Sequence, residues 1–362
     1  MTSPERVAVI GCGLIGTSIA MAAVRSGDAV IGIETDARNA AIAADRAEIA
    51  VGSDLGSLSD ASIVVVATPI ASVPERVTEA LSMAPDATVT DVASVKATVL
   101  ADVRRRAANG RGMPRFVPGH PMGGSERSGP ASASPTIIEG ATWVLSPHDA
   151  LDAGRITHVA EWVRRLGANP VIVPAARHDR LVAFVSHLPQ VASTALMSLA
   201  AERESGESDA LLLAAGGFRD LTRLAASNPT LWADILTANR DEVVAAIGAY
   251  VEALDELARS LGREDRSGVE RAFEVGRSAR LALAPRPRVR SGVAVLQVPI
   301  PDRPGALAEL TRSVGAVNIE DLQIAHSVEG GRGVVHLTVA AEDVGTAESA
   351  LGAAGLSAIR IA

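Results

Sequence analysis

Short runs of β-branched residues alternate with stretches rich in Ala, Arg and Glu from Arg6 to about Pro174. Each run is brief and almost wholly apolar, as expected of strands covered on both faces by helices in a parallel sheet. The runs predict strands from Val7 to Ile10, Ala29 to Glu34, Ile63 to Ala67, Thr88 to Asp91, Thr142 to Leu145 and Val171 to Val173. From about Ala175 to Ala284 the alternation gives way to long segments of Ala, Leu, Arg and Glu, broken mainly at Gly216, Gly217, Pro229 and Gly262. That stretch is predicted to be all-helical. Ala284 to Gly292, with its prolines and arginines, reads as an exposed linker. Beyond it the pattern predicts a strand from Val293 to Pro299, a helix from Ala306 to Val314, strands from Ile319 to Ser327 and Gly333 to Ala340, a helix from Asp343 to Ala353 and a strand from Leu356 to Ile361. This order is a ferredoxin-like βαββαβ unit. The expected fold class is α/β, with domains at 1–175, 176–284 and 293–362 and a linker at 285–292.

Composition narrows the partners. Of the 362 residues 48% are hydrophobic and only 2% aromatic, so the cores must be built from Ala, Val, Leu and Ile. A formal net charge of -8 with no lysine-rich run argues against nucleic acid. A single cysteine, Cys12, excludes an intramolecular disulfide and a cysteine-based metal site, and no metal is expected. The start, Met1 to Arg6, is polar and unlike a signal sequence, and the longest apolar stretch, Ile63 to Ile70, is broken by Thr68 and Pro69. It falls short of the ~20 residues that span a bilayer. A soluble, cytoplasmic protein without a membrane partner is expected.

Gly11-Cys12-Gly13-Leu14-Ile15-Gly16 follows a predicted strand and opens a helix. There the glycines allow a tight turn and close backbone approach to a pyrophosphate, and the helix N-terminus supplies free amides. Glu34, at the end of the next strand, would bind ribose hydroxyls and repel a 2′-phosphate, which favours NAD over NADP; Arg38 nearby keeps NADP open. A glycine turn serving only packing is the competing reading. The arrangement predicts a Rossmann-type domain, with Gly11, Gly13, Leu14, Ile15, Gly16, Glu34, Thr68 and Pro69 as the cofactor-binding set.

Further along, His120 lies in a glycine-rich stretch, Gly119 to Glu126, that predicts a loop, and loop histidines are more often functional than packed. Ser94 and Lys96 follow the strand ending at Asp91, at the sheet edge where α/β enzymes bind ligands, although Ser94 alone reads as a helix N-cap. In the helical stretch His187 could equally be a buried, hydrogen-bonded residue. Asp220 and Arg223, three apart on a predicted helix, could be a surface ion pair.

Taken together, His-Pro-Met-Gly-Gly-Ser-Glu at 120–126, Ser-His-Leu-Pro at 186–189 and Gly-Gly-Phe-Arg-Asp-Leu-Thr-Arg at 216–223, followed by Trp232, resemble in order the motifs of the prephenate dehydrogenase family. The resemblance covers residue 6 to about 284. It implies NAD-dependent oxidative decarboxylation of prephenate in tyrosine biosynthesis, or of its amino analogue arogenate, by a homodimer joined through the helical domain. It implies that His120 accepts the proton of the substrate's ring hydroxyl, that Ser94 helps orient that hydroxyl, and that Arg223 grips a substrate carboxylate. Glu126, His187, Asp220 and Trp232 match residues that line or gate the pocket, and Lys96 is expected beside them. Gln190 stands where many relatives have histidine, which makes it the expected determinant of prephenate against arogenate. A histidine near Arg223 and a cationic nicotinamide would be held neutral by like charge, ready to accept a proton.

Asp302-Arg303-Pro304-Gly305, with Asn318 before the next strand, resembles the ACT domain, an amino-acid-sensing module. It implies an effector such as tyrosine near Asp302, Arg303, Gly305 and Asn318; a dimerising module without a ligand is the alternative. Two rival functions share the nucleotide domain. A β-hydroxyacid-type dehydrogenase would want a lysine between Leu181 and Ala201, and none is there. A non-catalytic sensor of NAD and an amino acid would leave His120 and Ser94 without a purpose.

Overall fold

The computed structural model describes residues 4–107, 110, 112–124, 127–204, 210–282, 293–301, 303–326 and 332–360. Glu126, Asp302 and the expected linker at 285–292 lie outside the described residues. The chain divides into two compact units, Met1–Asp255 and Glu256–Ala362.

The first unit opens with β1 (Arg6–Ile10), α1 (Leu14–Arg25), β2 (Ala29–Ile33), α2 (Ala37–Ala47), β3 (Ala50–Gly52), β4 (Ile63–Val66), α3 (Val73–Met83), β5 (Thr88–Asp91), α4 (Ala97–Arg106) and β6 (Phe116–Val117). These strands form a parallel sheet in the order β3-β2-β1-β4-β5-β6. The order reverses between β1 and β4, which opens a crevice at their carboxyl ends, where such sheets bind nucleotides. Both faces are sealed. Val64 and Val66 of β4 join Val77, Leu81, Val99 and Val103 on one side, and Ile63 and Val65 join Ile19, Ala23, Trp162 and Val163 on the other.

The chain continues through β7 (Gly119–Pro121), β8 (Thr142–Leu145), α5 (Ala153–Arg165) and β9 (Asn169–Ile172). Here the sequence expectation needs correction. β8 and β9 do not extend the parallel sheet but form a second, three-stranded one with β7, in which β7 runs antiparallel to β8. Pro118 between β6 and β7 has no N–H to carry the ladder on. Strands β3, β6 and β7 escaped the pattern reading because two or three residues show no period.

Then come α6 (Ala175–Val182), a π-helical turn at Ala183–His187, α7 (Leu188–Glu204), α8 (Gly216–Thr222), α9 (Pro229–Ala238), α10 (Arg240–Gly262) and α11 (Arg266–Ala282). The run from Ala175 to Glu202 is long and apolar enough to cross a membrane by composition alone. It carries His178, Asp179, His187 and Gln190, all buried and hydrogen-bonded within the protein, while Leu181, Phe184, Val185, Leu196 and Leu199 on the same run are exposed.

In the second unit β10 (Val293–Pro301), α12 (Ala306–Ser313), β11 (Ile319–His326), β12 (Arg332–Ala340), α13 (Val344–Ala353) and β13 (Ile359–Arg360) build an antiparallel sheet in the order β11-β12-β10-β13. That is the ferredoxin-like order. Ala294, Leu296, Val298 and Ile300 alternate along β10 on the face that packs with Leu310 and Leu351.

Candidate active site

The glycine turn between β1 and α1 is shaped by close contact. Gly11 has φ +91°, and a Cβ there would sit 2.8 Å from the backbone of Ala67; one on Gly16 would collide with the carbonyl of Gly11. Gly13, by contrast, faces open space and caps α1 without a side-chain bond, so the first amides of the helix stay available to an anion. Glu34 follows β2 and accepts from the amides of Cys12 and Asp36 at 2.9 Å each. Its carboxylate is thereby fixed beside the turn with lone pairs left for ribose hydroxyls. The Thr68 hydroxyl oxygen, where β4 gives way to its loop, is buried and has no partner among the described residues. These are the features that a dinucleotide needs.

Across the crevice, Asp91 ends β5 and accepts from Ala93 N at 3.0 Å and Gly119 N at 3.1 Å. Lys96 is fully buried, with its ammonium bonded to Asp91 and, at 2.6 Å, to the Gly119 carbonyl. These donors hold the strand that carries His120, a structural part beside the substrate contact expected of Lys96. Ser94 is half-buried in the loop between β5 and α4. It does not cap α4, whose first amides, Lys96 N and Ala97 N, are each met at 2.8 Å by the carboxylate of Asp179.

His120 lies on β7, paired with Val144, and so not in the expected loop. Its Nδ1 is 2.8 Å from His178 Nε2, and His178 Nδ1 is 2.7 Å from Asp179 Oδ1. A carboxylate accepts only, so His178 donates through Nδ1, and in its neutral form its Nε2 accepts. His120 therefore donates through Nδ1, and its lone pair is on Nε2. Burial holds the His120 pKa well below the usual imidazole value, with further lowering from His178, Lys96 and His187. The direction agrees with the expectation of a neutral histidine, but burial comes first among its causes and Arg223 is not one of them. Neither His178 nor Asp179 was read from the sequence; the only available signal was an adjacent His-Asp pair near the start of a helix.

The π-helical turn ends at His187, which is buried against Trp232 with the rings edge to face, 6.1 Å between centroids. Asn239 Nδ2 lies 3.2 Å from His187 Nδ1 and 2.9 Å from the Asp179 carbonyl. Burial pushes the His187 pKa down to about 4. Gln190 is buried as well, but its amide donates to the Leu224 carbonyl at 2.8 Å and its oxygen lies 3.4 Å from the Ser227 hydroxyl. Gln190 thereby ties α7 to the 3₁₀ turn Arg223–Ala226 and to Ser227 after it. Arg223 opens that turn and is exposed, and Asp220 is exposed on α8. Because α8 ends at Thr222, the two do not share one helix as expected.

A glycine turn at the switch point of a parallel sheet, with a neutral histidine whose acceptor nitrogen is set by a His-Asp chain, defines a nucleotide-dependent dehydrogenase. Comparison with known proteins specifies the class. Residues 19–172 match the nucleotide-binding domain of prephenate dehydrogenase and residues 174–275 its dimerization domain. Prephenate dehydrogenase of Bacillus subtilis is 28% identical over 352 residues, 94% of this chain and 93% of that protein. The structure of prephenate dehydrogenase from A. aeolicus, in complex with hydroxyphenyl propionate and NAD+, is 29% identical with a TM-score of 0.71, covering 78% of this chain and 99% of the other. Synechocystis arogenate dehydrogenase is 28% identical with a TM-score of 0.66, covering 77% and 100%. The chain belongs to the prephenate dehydrogenase family and is an NAD-dependent oxidoreductase.

Proposed function

We infer that the chain oxidises and decarboxylates prephenate to 4-hydroxyphenylpyruvate, with NAD held by the turn from Gly11 to Gly16 and by Glu34. The observation that carries this reading is the chain from Asp179 through His178 to His120, which leaves a neutral acceptor at His120 Nε2. Bound oxidised nicotinamide supplies the hydride acceptor. For the carbinol carbon to give up its hydride, the ring hydroxyl must lose a proton, and His120 Nε2 takes it. The proton on His120 Nδ1 can then pass to His178 Nε2, which puts the positive charge next to Asp179. The C–C bond to the ring carboxylate breaks, carbon dioxide leaves with its oxygens, the electron pair completes the aromatic ring, and the resulting phenolate oxygen takes the proton back from His120 Nε2. Ser94, beside the same sheet edge, orients the hydroxyl. Arg223 clamps a carboxylate with its two-pronged guanidinium, and His187 and Trp232 form a wall of the site. Asp220 and Glu126 are assigned to its rim by family resemblance.

We divide the functions as nucleotide binding over 1–175, substrate binding and dimerisation over 176–284, and regulation over 293–362. The match of 174–275 to a dimerization domain supports a homodimer, which we place in the cytoplasm as a soluble enzyme. Support for an ACT module with an amino-acid effector comes from the four-stranded sheet and from the loop after β10. There Gly305 has φ +88°, Arg303 makes a two-pronged pair with Glu309 at 3.0 and 2.7 Å, and Asn318 bonds Glu320 at 2.7 Å. Initial rates of NADH formation with prephenate and with arogenate, each with and without tyrosine, test the whole reading. Efficient turnover of prephenate, slowed by tyrosine, is expected. Turnover of arogenate alone would overturn the substrate, and rates indifferent to tyrosine would overturn the effector.

A further inference from the structure

We propose that Asn239 is a positioning residue that locks His187 into the tautomer protonated on Nε2, making His187 a fixed hydrogen-bond donor to a carboxylate oxygen of the substrate. The proposal rests on the dicarboxylate substrate inferred above.

The argument starts from a single carbonyl. The Asp179 main-chain oxygen can only accept, and it lies 2.9 Å from Asn239 Nδ2. That contact fixes which way the buried amide points. The second N–H of the same group then reaches His187 Nδ1 at 3.2 Å. An amide N–H can only donate, so Nδ1 must hold the lone pair of the ring. With its pKa near 4, His187 is neutral under working conditions and carries one proton. That proton is on Nε2, which has no partner among the described residues.

The neighbouring histidine is set the opposite way. His120 donates through Nδ1 to His178 and presents a lone pair on Nε2. The two rings are tied to the same pair of residues, His120 to His178 and His187 through Asn239 to Asp179, one as acceptor and one as donor. Both settings trace to Asp179, through its carboxylate to His178 and through its main-chain carbonyl to Asn239. The Trp232 ring, edge to face with His187, limits rotation of the imidazole that the amide alone would permit. A neutral donor suits this place, because the bound substrate carries two carboxylates while the proton acceptor nearby must stay neutral.

The test uses the full-length enzyme with nitrogen-15-labelled histidine. The chain has 7 histidines, and the His187 signals are assigned by their loss in His187→Gln. The wild type is expected to show His187 protonated on Nε2. Asn239→Asp, which puts an acceptor in place of the donor, should move the proton to Nδ1, and Asn239→Ala should give a mixture. Both variants should raise the KM for prephenate ~10-fold, the scale of one lost hydrogen bond to a charged group, with KM for NAD unchanged and kcat within ~3-fold. A wild-type His187 protonated on Nδ1 would overturn the proposal without recourse to any variant. So would an Asn239→Asp enzyme with unaltered tautomer and KM. A locked tautomer in a wild type that does not turn over prephenate supports the lock and overturns the substrate assignment instead.

Discussion

The nucleotide-binding half and the helical half of the first unit are held together by different means. The parallel sheet is packed on both faces, with Val9, Val64, Val65, Phe116, Trp143 and Trp162 fully sealed. In the helical half the buried apolar cluster shrinks to Ala183, Val243 and Ala246, while Leu212, Leu213 and Leu221 stand 78%, 84% and 67% exposed. What fixes the functional side chains there is polar: Asn239 on Asp179 and His187, and Gln190 on Leu224. The cofactor site is thus shaped by packing within the chain. The substrate residues sit on a scaffold whose apolar surface is left for another molecule, in keeping with the dimerization domain it matches.

The contrast can be broken at its extremes. Trp143→Ala empties a sealed site whose indole N–H has no partner among the described residues, and should cost ~3–5 kcal/mol of stability through lost packing alone. Leu213→Ala should cost less than ~0.5 kcal/mol in the dilute chain, and more only where rising protein concentration covers that surface. Thermal unfolding across a concentration series measures both; equal costs at every concentration would erase the distinction.

His120→Asn tests whether the packed half also holds the chemistry. Turnover should fall ~100-fold or more while NAD affinity, read by fluorescence titration, stays the same, because general-base catalysis is lost and the glycine turn is untouched. Near-normal turnover would remove His120 from the reaction.

Acid should sharpen the contrast further. His120 and His187 are neutral when folded because burial lowers their pKa values, whereas in the unfolded chain they take up protons below about 6.5. The stability they leave intact above that pH is lost as the pH falls toward 4, where His187 titrates in the folded state. Hydrogen exchange at successive pH values should show α6, α7 and α9 loosening before the parallel sheet. Simultaneous loosening would mean that the two halves share one network.

Much of this was legible in the chain because it is local. Gly11 to Gly16 with Glu34 predicted the nucleotide turn, and the His120, His187 and Arg223 motifs carried the family resemblance. What was not legible has a common physical origin. Lys96 was singled out for its place at the sheet edge and Gln190 for standing where many relatives have histidine, and neither ground reveals their partners Gly119 and Leu224, which are far away in sequence. His178, Asp179 and Asn239 belong to no motif, and only folding brings them together. The pairing of His120 within β7 was missed because Gly and Pro flank a strand of three residues.

The turn at Ala183–His187 makes the number of residues between Asp179 and His187 a functional quantity. A π turn is an α-helix with one residue to spare. Deleting Val185, whose side chain is mostly exposed, would remove no buried contact of its own, yet it would let the helix relax to the ordinary pitch. Because the π turn absorbs the spare residue, the helix beyond would keep its phase; what would be lost is the widened turn itself, and with it the local backbone that sets the His187 ring against Asn239 and Trp232. In this segment chain length is therefore constrained more tightly than residue identity: insertions and deletions should be excluded where substitutions of Val185 are tolerated.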